Sequence, residues 1–247
     1  MQRLLLTLRY DGSRYHGWQV QKNGVTVQET LQDAVERLTG VRSGIIGCSR
    51  TDSGVHANMF CCTFDTDCPL REGRMTKALN AYLPRDIAVY GCREVAADFH
   101  PRYAALGKRY IYRIWNASDR NPFWEGRAFH CRQPLDAAFL SEQAADYIGF
   151  HDFAAFCAAG SSVESTERSV RRAEVERQGD LIVYTVEADG FLYNMVRIMV
   201  GTLLDIQAGS LEAGSIPAIL NSGSRAQAGK TAPACGLYLD SVFYPPE

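Results

Sequence analysis

The chain has 247 residues, 46% apolar and 22% charged, an ordinary composition for one large or two average soluble domains. No apolar run approaches the roughly 20 residues that span a bilayer, and Met1–Leu6 is too short in its apolar part for a signal peptide, which points to the cytoplasm and away from a membrane. The formal net charge of −2 argues against a protein that coats nucleic acid indiscriminately, yet 26 basic residues leave room for a basic face toward RNA.

Arg3 to Tyr10, with its apolar–polar alternation, reads as a strand. Asp11–Trp18 is a loop with two glycines and the ring side chains Tyr15, His16 and Trp18, which either flank RNA or staple the loop. Thr26-Val27-Gln28-Glu29 is a capping box that opens a helix with Val27, Leu31, Ala34, Val35 and Leu38 on one face, and Gly40 ends it. Apolar residues on both sides bound the polar stretch Gly47–Ala57, giving strand, tight loop, strand. A second helix from about Met75 to Leu83 carries Met75, Leu79, Tyr82 and Leu83 as its apolar face and stops at Pro84; Ile87–Cys92 is another strand.

The second half follows the same order. Lys108–Trp115 is a strand with Tyr110 and Tyr112 on one face; Leu135–Ile148 is an amphipathic helix ending at Gly149. Ser169–Glu176 and Leu181–Ala188 form a hairpin at Gly179-Asp180, Phe191–Ile206 is a strongly apolar helix, a further helix covers about Leu211–Leu220, and Leu237–Tyr244 closes the chain as a strand. Two successive β-α-β-β-α-β units result. The expected fold class is therefore α+β: two ferredoxin-like (split β-α-β) domains with antiparallel sheets and a catalytic cleft between them, spanning 1–103 and 104–247.

Eight cysteines, at 48, 61, 62, 68, 92, 131, 157 and 235, form no Cys-x-x-Cys pair and no zinc-ligand spacing, so neither metal nor disulfide is expected and the thiols are read as small apolar residues. The segments 102–113 and 167–177 concentrate arginines that are either solvated strand faces or RNA contacts.

Within Gly47–Ala57 the residue that stands out is Asp52, preceded by Arg50 and Thr51 and followed by Gly54 and His56. An aspartate near a glycine is commonly a turn residue. A carboxylate beside an arginine also stays ionised and can serve as a nucleophile. Arg50 is a loop surface charge or fills the space left by an extruded nucleotide. Tyr110 is half of an aromatic pair on a sheet, or the ring that packs against a flipped base. Arg197 sits among Met195, Val196, Ile198, Met199 and Val200; it either snorkels to an edge or pairs with a buried carboxylate, for which Asp52 is the natural partner. Gly223–Thr231 imitates a phosphate loop but has five residues between its glycines where the motif needs four, and Pro233 blocks the helix that should follow.

At these residues the chain resembles the tRNA pseudouridine synthase family of the TruA type, over nearly its whole length. The resemblance is carried by Tyr10-Asp11-Gly12, Tyr15-His16-Gly17-Trp18-Gln19, Thr26-Val27-Gln28, Arg50-Thr51-Asp52 through His56-Ala57, Leu79-Asn80, Leu83-Pro84, Asp86-Ile87, Phe99-His100 with Arg102, Lys108 with Tyr110 and Tyr112, His151-Asp152-Phe153, Phe191-Leu192, Met195-Val196-Arg197, Gly201 and Gly236–Leu239. It implies that Asp52 is the catalytic aspartate, that Tyr110 contacts the substrate base, that Arg197 pairs with the aspartate, and that Arg50 assists base flipping. It further implies isomerisation of uridine to pseudouridine at positions 38, 39 and 40 of the tRNA anticodon stem-loop, by a homodimer without metal or organic cofactor. The family usually has Gly-Ala-Gly before Arg-Thr-Asp and Ala after it, whereas this chain has Gly47-Cys48-Ser49 and Ser53, small-for-small changes beside the nucleophile. Two other readings are a non-catalytic RNA-binding protein on the same fold and a hydrolase that uses Asp52 on a nucleoside or glycoside.

Overall fold

The computed structural model describes residues 1–69, 71–160 and 163–246. The chain divides into two compact units: one is Met1–Leu106 together with the stretch from Tyr238 onward, the other Gly107–Leu237. The expected division at 103/104 leaves the closing strand with the second half, whereas its contacts place it in the first unit.

The first unit contains β1 (Gln2–Tyr10), α1 (Val27–Thr39), β2 (Ile46–Gly47), β3 (His56–Thr66), α2 (Glu72–Tyr82) and β4 (Ile87–Val95). β1 runs antiparallel to both β3 and β4, with Leu6 opposite Cys62 on one side and Cys92 on the other. The 13-residue α1 starts where the Thr26 hydroxyl accepts the Glu29 N–H and ends at Gly40 in the left-handed conformation, φ 77°. That is the start and stop expected of a capping box and a C-terminal glycine. Its buried residues Val27, Leu31, Ala34 and Val35 join Leu4, Leu6 and Leu8 of β1, Phe60 and Phe64 of β3, and Met75 and Leu79 of α2 in the core. Tyr82, expected on the apolar face of α2, is the helix's last residue and is 45% exposed, while Leu79 in the same turn is buried.

The second unit contains β5 (Gly107–Trp115), β6 (Phe129–His130), α3 (Ala137–Ala145), β7 (Gly149–Asp152), β8 (Glu167–Gln178), β9 (Leu181–Ala188), α4 (Met195–Gln207) and α5 (Ile216–Ser222). Four strands lie antiparallel in the order β5-β9-β8-β7, and β6 adds a short parallel pairing to β5. The last strand, β10 (Leu237–Phe243), pairs in parallel with β3, Tyr238 opposite His56 and Leu239 opposite Ala57. Each unit thus combines a predominantly antiparallel sheet with helices, the mixed α+β architecture that the element order predicts.

Four helices differ from expectation at their ends, α2 by starting at Glu72 and not Met75. α3 begins later, at Ala137, because Asp136 caps it by accepting the N–H groups of Ala138 and Phe139. Beyond it, Gly149–Asp152 forms β7, a strand the pattern did not reveal. α4 begins at Met195 and not Phe191, because Asn194 adopts φ 60°. α5 begins at Ile216, with Pro217 in its first turn, instead of Leu211. Among the described residues no helix is long and apolar enough to cross a membrane.

Candidate active site

The loop that carries Asp52 is clasped, backbone to backbone, by the loop that follows β1. The Trp18 N–H donates to Thr51 O at 3.0 Å, the Gly54 N–H to Tyr15 O at 3.3 Å, and the Val55 N–H back to Asp52 O at 3.1 Å. The Tyr10 and Thr51 hydroxyls share a hydrogen bond of 2.8 Å, and the Gly12 N–H donates to His56 Nδ1 at 3.0 Å. The fit leaves no room for side chains. Gly17 has φ +83°, and a Cβ there would lie 2.4 Å from Thr51 O; a Cβ at Gly12 would lie 2.0 Å from Val55 O. Two glycines in the first loop are therefore a geometric requirement of the second.

Two of the loop rings, Tyr15 and Trp18, staple the loop. Trp18 is buried and stacks on Phe60 at 4.0 Å, over Gly47, where a Cβ would meet Trp18 Nε1 at 2.6 Å. Tyr15 is buried, its hydroxyl donating to Asp86 Oδ1 at 2.7 Å, and burial together with that carboxylate pushes its phenol pKa up. Arg14 Nε donates to the other Asp86 oxygen at 2.8 Å, tying the loop to the turn before β4. His16 alone of the three stays exposed. Within this frame Asp52 is half-buried and Arg50 exposed.

Cys48, one of the departures from the family pattern, points into the core. Its N–H donates to Cys61 O at 2.8 Å, and its Sγ accepts the Cys61 N–H at 3.4 Å. Burial pushes the Cys61 thiol up to about 12 and Cys62 well above its ordinary value, so both stay protonated and behave as apolar residues.

The second unit positions Tyr110 and Arg197. Tyr110 is buried on β5 and meets Phe191 edge to face at 4.9 Å. Its strand neighbour Tyr112 donates to Pro233 O at 2.7 Å; burial raises the Tyr112 phenol, and nearby Arg197 partly opposes that shift. Arg197, half-buried near the start of α4, is oriented by two bonds: Nε donates to Ala232 O at 2.8 Å and Nη1 to Asn194 Oδ1 at 2.7 Å. The Ala232 N–H donates to Arg197 O at 3.0 Å, so the strap 230–232 lies directly on α4. A Cβ at Gly201 would fall 1.6 Å from Lys230 O, which makes glycine obligatory at this crossing. Lys230 itself pairs with Asp205 at 3.1 Å, in keeping with a structural role for the false phosphate loop.

Asp52 and Arg50 therefore share one clasped loop of the first unit, and in the second Tyr110 stands on β5 and Arg197 near the start of α4. Two residues here escape sequence reasoning. Asn194 is the only non-glycine with positive φ among the described residues and holds the Arg197 fork; an asparagine just before a helix was its signal. Lys108, expected among surface cations, is buried on the same face of β5 as Tyr110 and Tyr112. Several arginines of the two basic segments make contacts within the protein: Arg109 with Glu187 at 2.6 Å, and Arg177 with Asn116 Oδ1 at 2.6 Å and Leu135 O at 2.7 Å. Among the described residues no group of three or more His, Cys, Asp or Glu is placed to hold a metal ion.

Comparison with known proteins places the chain. A family model described as tRNA pseudouridine synthase matches residues 7–104 and 143–245. A tRNA pseudouridine synthase A of Moorella thermoacetica is 48% identical over 243 residues, 98% of this chain and 99% of that protein. One from Acetivibrio thermocellus is 43% identical over 244 residues, 99% of this chain and all of that protein. The crystal structure of an archaeal box H/ACA sRNP Nop10-Cbf5 complex aligns with a TM-score of 0.40 at 10% identity, over 82% of this chain and 43% of that one, too remote to add to the argument. The chain belongs to the tRNA pseudouridine synthase family. It is accordingly an enzyme, and its reaction class is isomerisation.

Proposed function

We propose that this enzyme converts uridine to pseudouridine at positions 38, 39 and 40 of the tRNA anticodon stem-loop, with Asp52 as nucleophile. The observation that carries this reading is the clasp around Arg50-Thr51-Asp52: a half-buried carboxylate on a loop whose backbone is fixed on both sides. In the reaction the N1–C1′ bond breaks, C5 of the same uracil bonds to C1′, the C5 proton leaves, and N1 regains a proton. Atoms and electrons balance, so no cofactor or metal is consumed. The Asp52 carboxylate attacks C1′ as the uracil departs, and is released as a free carboxylate when C5 of the turned uracil attacks the same carbon. Arg197, already aimed by Ala232 and Asn194, keeps that carboxylate ionised through a charge-assisted pair. Tyr110 holds the detached ring while it turns to present C5. Arg50, exposed beside the nucleophile, occupies the stack that the target base vacates.

We assign the first unit as the domain of the catalytic loop and the second as the domain of Tyr110 and Arg197, and we expect the protein to act as a homodimer in the cytoplasm. RNA affinity falls as salt rises, since stem-loops are held through phosphates. The test is incubation of unmodified tRNA with wild type and Asp52→Asn, followed by position-resolved mapping of pseudouridine and measurement of tRNA binding. The expected outcome is product at 38–40 with wild type, and none with a variant that still binds. Product formation by Asp52→Asn, or product elsewhere in the tRNA, overturns the assignment.

A further inference from the structure

Between β4 and β5 the chain makes a tight turn, and its tip displays an aromatic ring. Phe99 packs on Tyr244 at 5.4 Å, its carbonyl accepts Arg3 Nη1 at 3.3 Å, and the carbonyl of buried Pro101 accepts the Tyr244 hydroxyl at 2.7 Å. His100 Nδ1 accepts the N–H groups of Arg102 at 3.2 Å and Tyr103 at 3.4 Å, and His100 O accepts the Ala104 N–H at 2.9 Å. This anchored turn holds Tyr103, which is 77% exposed. The His100 ring lies 4.3 Å from the Tyr103 ring at 34°, and the Arg102 guanidinium is 5.9 Å from its centroid. Residues 99–106 include no carboxylate.

A ring the size of tyrosine gains nothing from water. Here the turn fixes it and neighbouring side chains supply a cation and a second π-face. Those are the components of a surface on which unpaired bases stack: an aromatic plane, a guanidinium nearby and a backbone that needs no reordering on binding. We propose that Tyr103, flanked by His100 and Arg102, is a stacking platform for an unpaired nucleobase of the tRNA substrate, separate from the flipped uridine. The proposal rests on the tRNA reading above and is independent of the roles given to Asp52 and Tyr110.

The experiment is equilibrium binding and steady-state kinetics of full-length wild type, Tyr103→Phe, Tyr103→Leu and Tyr103→Ala with unmodified tRNA at one fixed salt concentration. Phenylalanine keeps the π-face and retains affinity. Leucine and alanine weaken binding roughly five- to hundredfold, the range for one stacked base, and raise KM while leaving kcat in place. Thermal midpoints stay level across the series, because the exposed ring supports no core. A second arm uses tRNAs with a single abasic nucleotide at successive unpaired positions. One such position weakens wild type by the same factor and has no further effect on Tyr103→Ala, which identifies the base. Wild-type affinity in Tyr103→Ala overturns the platform, as does a changed sedimentation coefficient with unchanged tRNA affinity, which assigns the ring to a protein contact. If wild type itself binds no tRNA, the substrate reading fails instead.

Discussion

Substituting Gly17 tests whether the clasp around Asp52 does what the geometry says. Gly17→Ala puts a methyl group where φ is +83° and where a Cβ lies 2.4 Å from Thr51 O and 3.1 Å from the Asp52 carbonyl carbon. The left-handed conformation alone costs a non-glycine residue about 1–2 kcal/mol. Ordinary contact begins near 3.4 Å, so Thr51 must withdraw by about 1 Å. That withdrawal breaks the Trp18 N–H bond to Thr51 O, worth about 1 kcal/mol net. A total of roughly 2–3 kcal/mol corresponds to a fall of roughly 4–12 °C in Tm for a chain of this size. The same displacement at Asp52, the nucleophile in the proposed mechanism, lowers kcat roughly a hundredfold. The control is Gly40→Ala at the end of α1, where φ is +77° but nothing lies within 4 Å of the added methyl; it bears the conformational cost alone and leaves kcat in place. Both variants are compared by thermal melting and single-turnover pseudouridine formation. If Gly17→Ala matches Gly40→Ala in melting and turns over at the wild-type rate, the first loop does not position the second and the clasp argument fails.

Arg197→Lys lowers kcat at least about tenfold while tRNA affinity stays within about twofold, because one ammonium cannot reproduce the fork that reaches Ala232 O and Asn194 Oδ1 together; unchanged kcat would remove Arg197 from the chemistry. Tyr184→Phe raises Tm, since the Tyr184 hydroxyl is buried in the second unit's core without a hydrogen-bond partner and removing it relieves about 1 kcal/mol of desolvation; a lower Tm refutes this. Acid stability of the first unit depends on Asp65, whose carboxyl is held below the usual range by its paired hydrogen bonds from Arg3. A lowered folded-state pKa adds stability above the unfolded value of about 3.9 and loses it as pH falls through the folded value. The gap in urea midpoint between wild type and Asp65→Asn is therefore present at neutral pH and narrows progressively as pH falls below about 4, and a gap that stays constant as the pH is lowered into the acid range contradicts the pairing.

Elements with local signals were legible in the sequence. Thr26 and Gly40 delimit α1 because capping is decided within four residues, and Gly179-Asp180 marks the β8–β9 hairpin for the same reason. The start of α4 was not legible, since periodicity is blind to the left-handed turn at Asn194 that sets it. The short β7 and β6 escaped as well, being two to four residues stabilised only by partners distant in sequence. At the site, the residue types were legible and their support was not. Asp52, Arg50, Tyr110 and Arg197 stand out by motif. The requirement for Gly17 arises from a backbone more than thirty positions downstream, and burial of Lys108 arises from tertiary packing that a charged letter on a strand does not announce.

The parallel pairing of β10 with β3 sets an order of construction. The sheet that bears the aspartate loop is begun by the earliest-made strand, yet Tyr238, whose ring stacks on His56 at 4.5 Å, joins it only after all of Gly107–Leu237 has been synthesised. A nascent chain thus carries an unfinished Asp52-bearing half while the other half is being made. The competence of the enzyme arrives late, when one short C-terminal ribbon docks beside the strand that leads away from the aspartate.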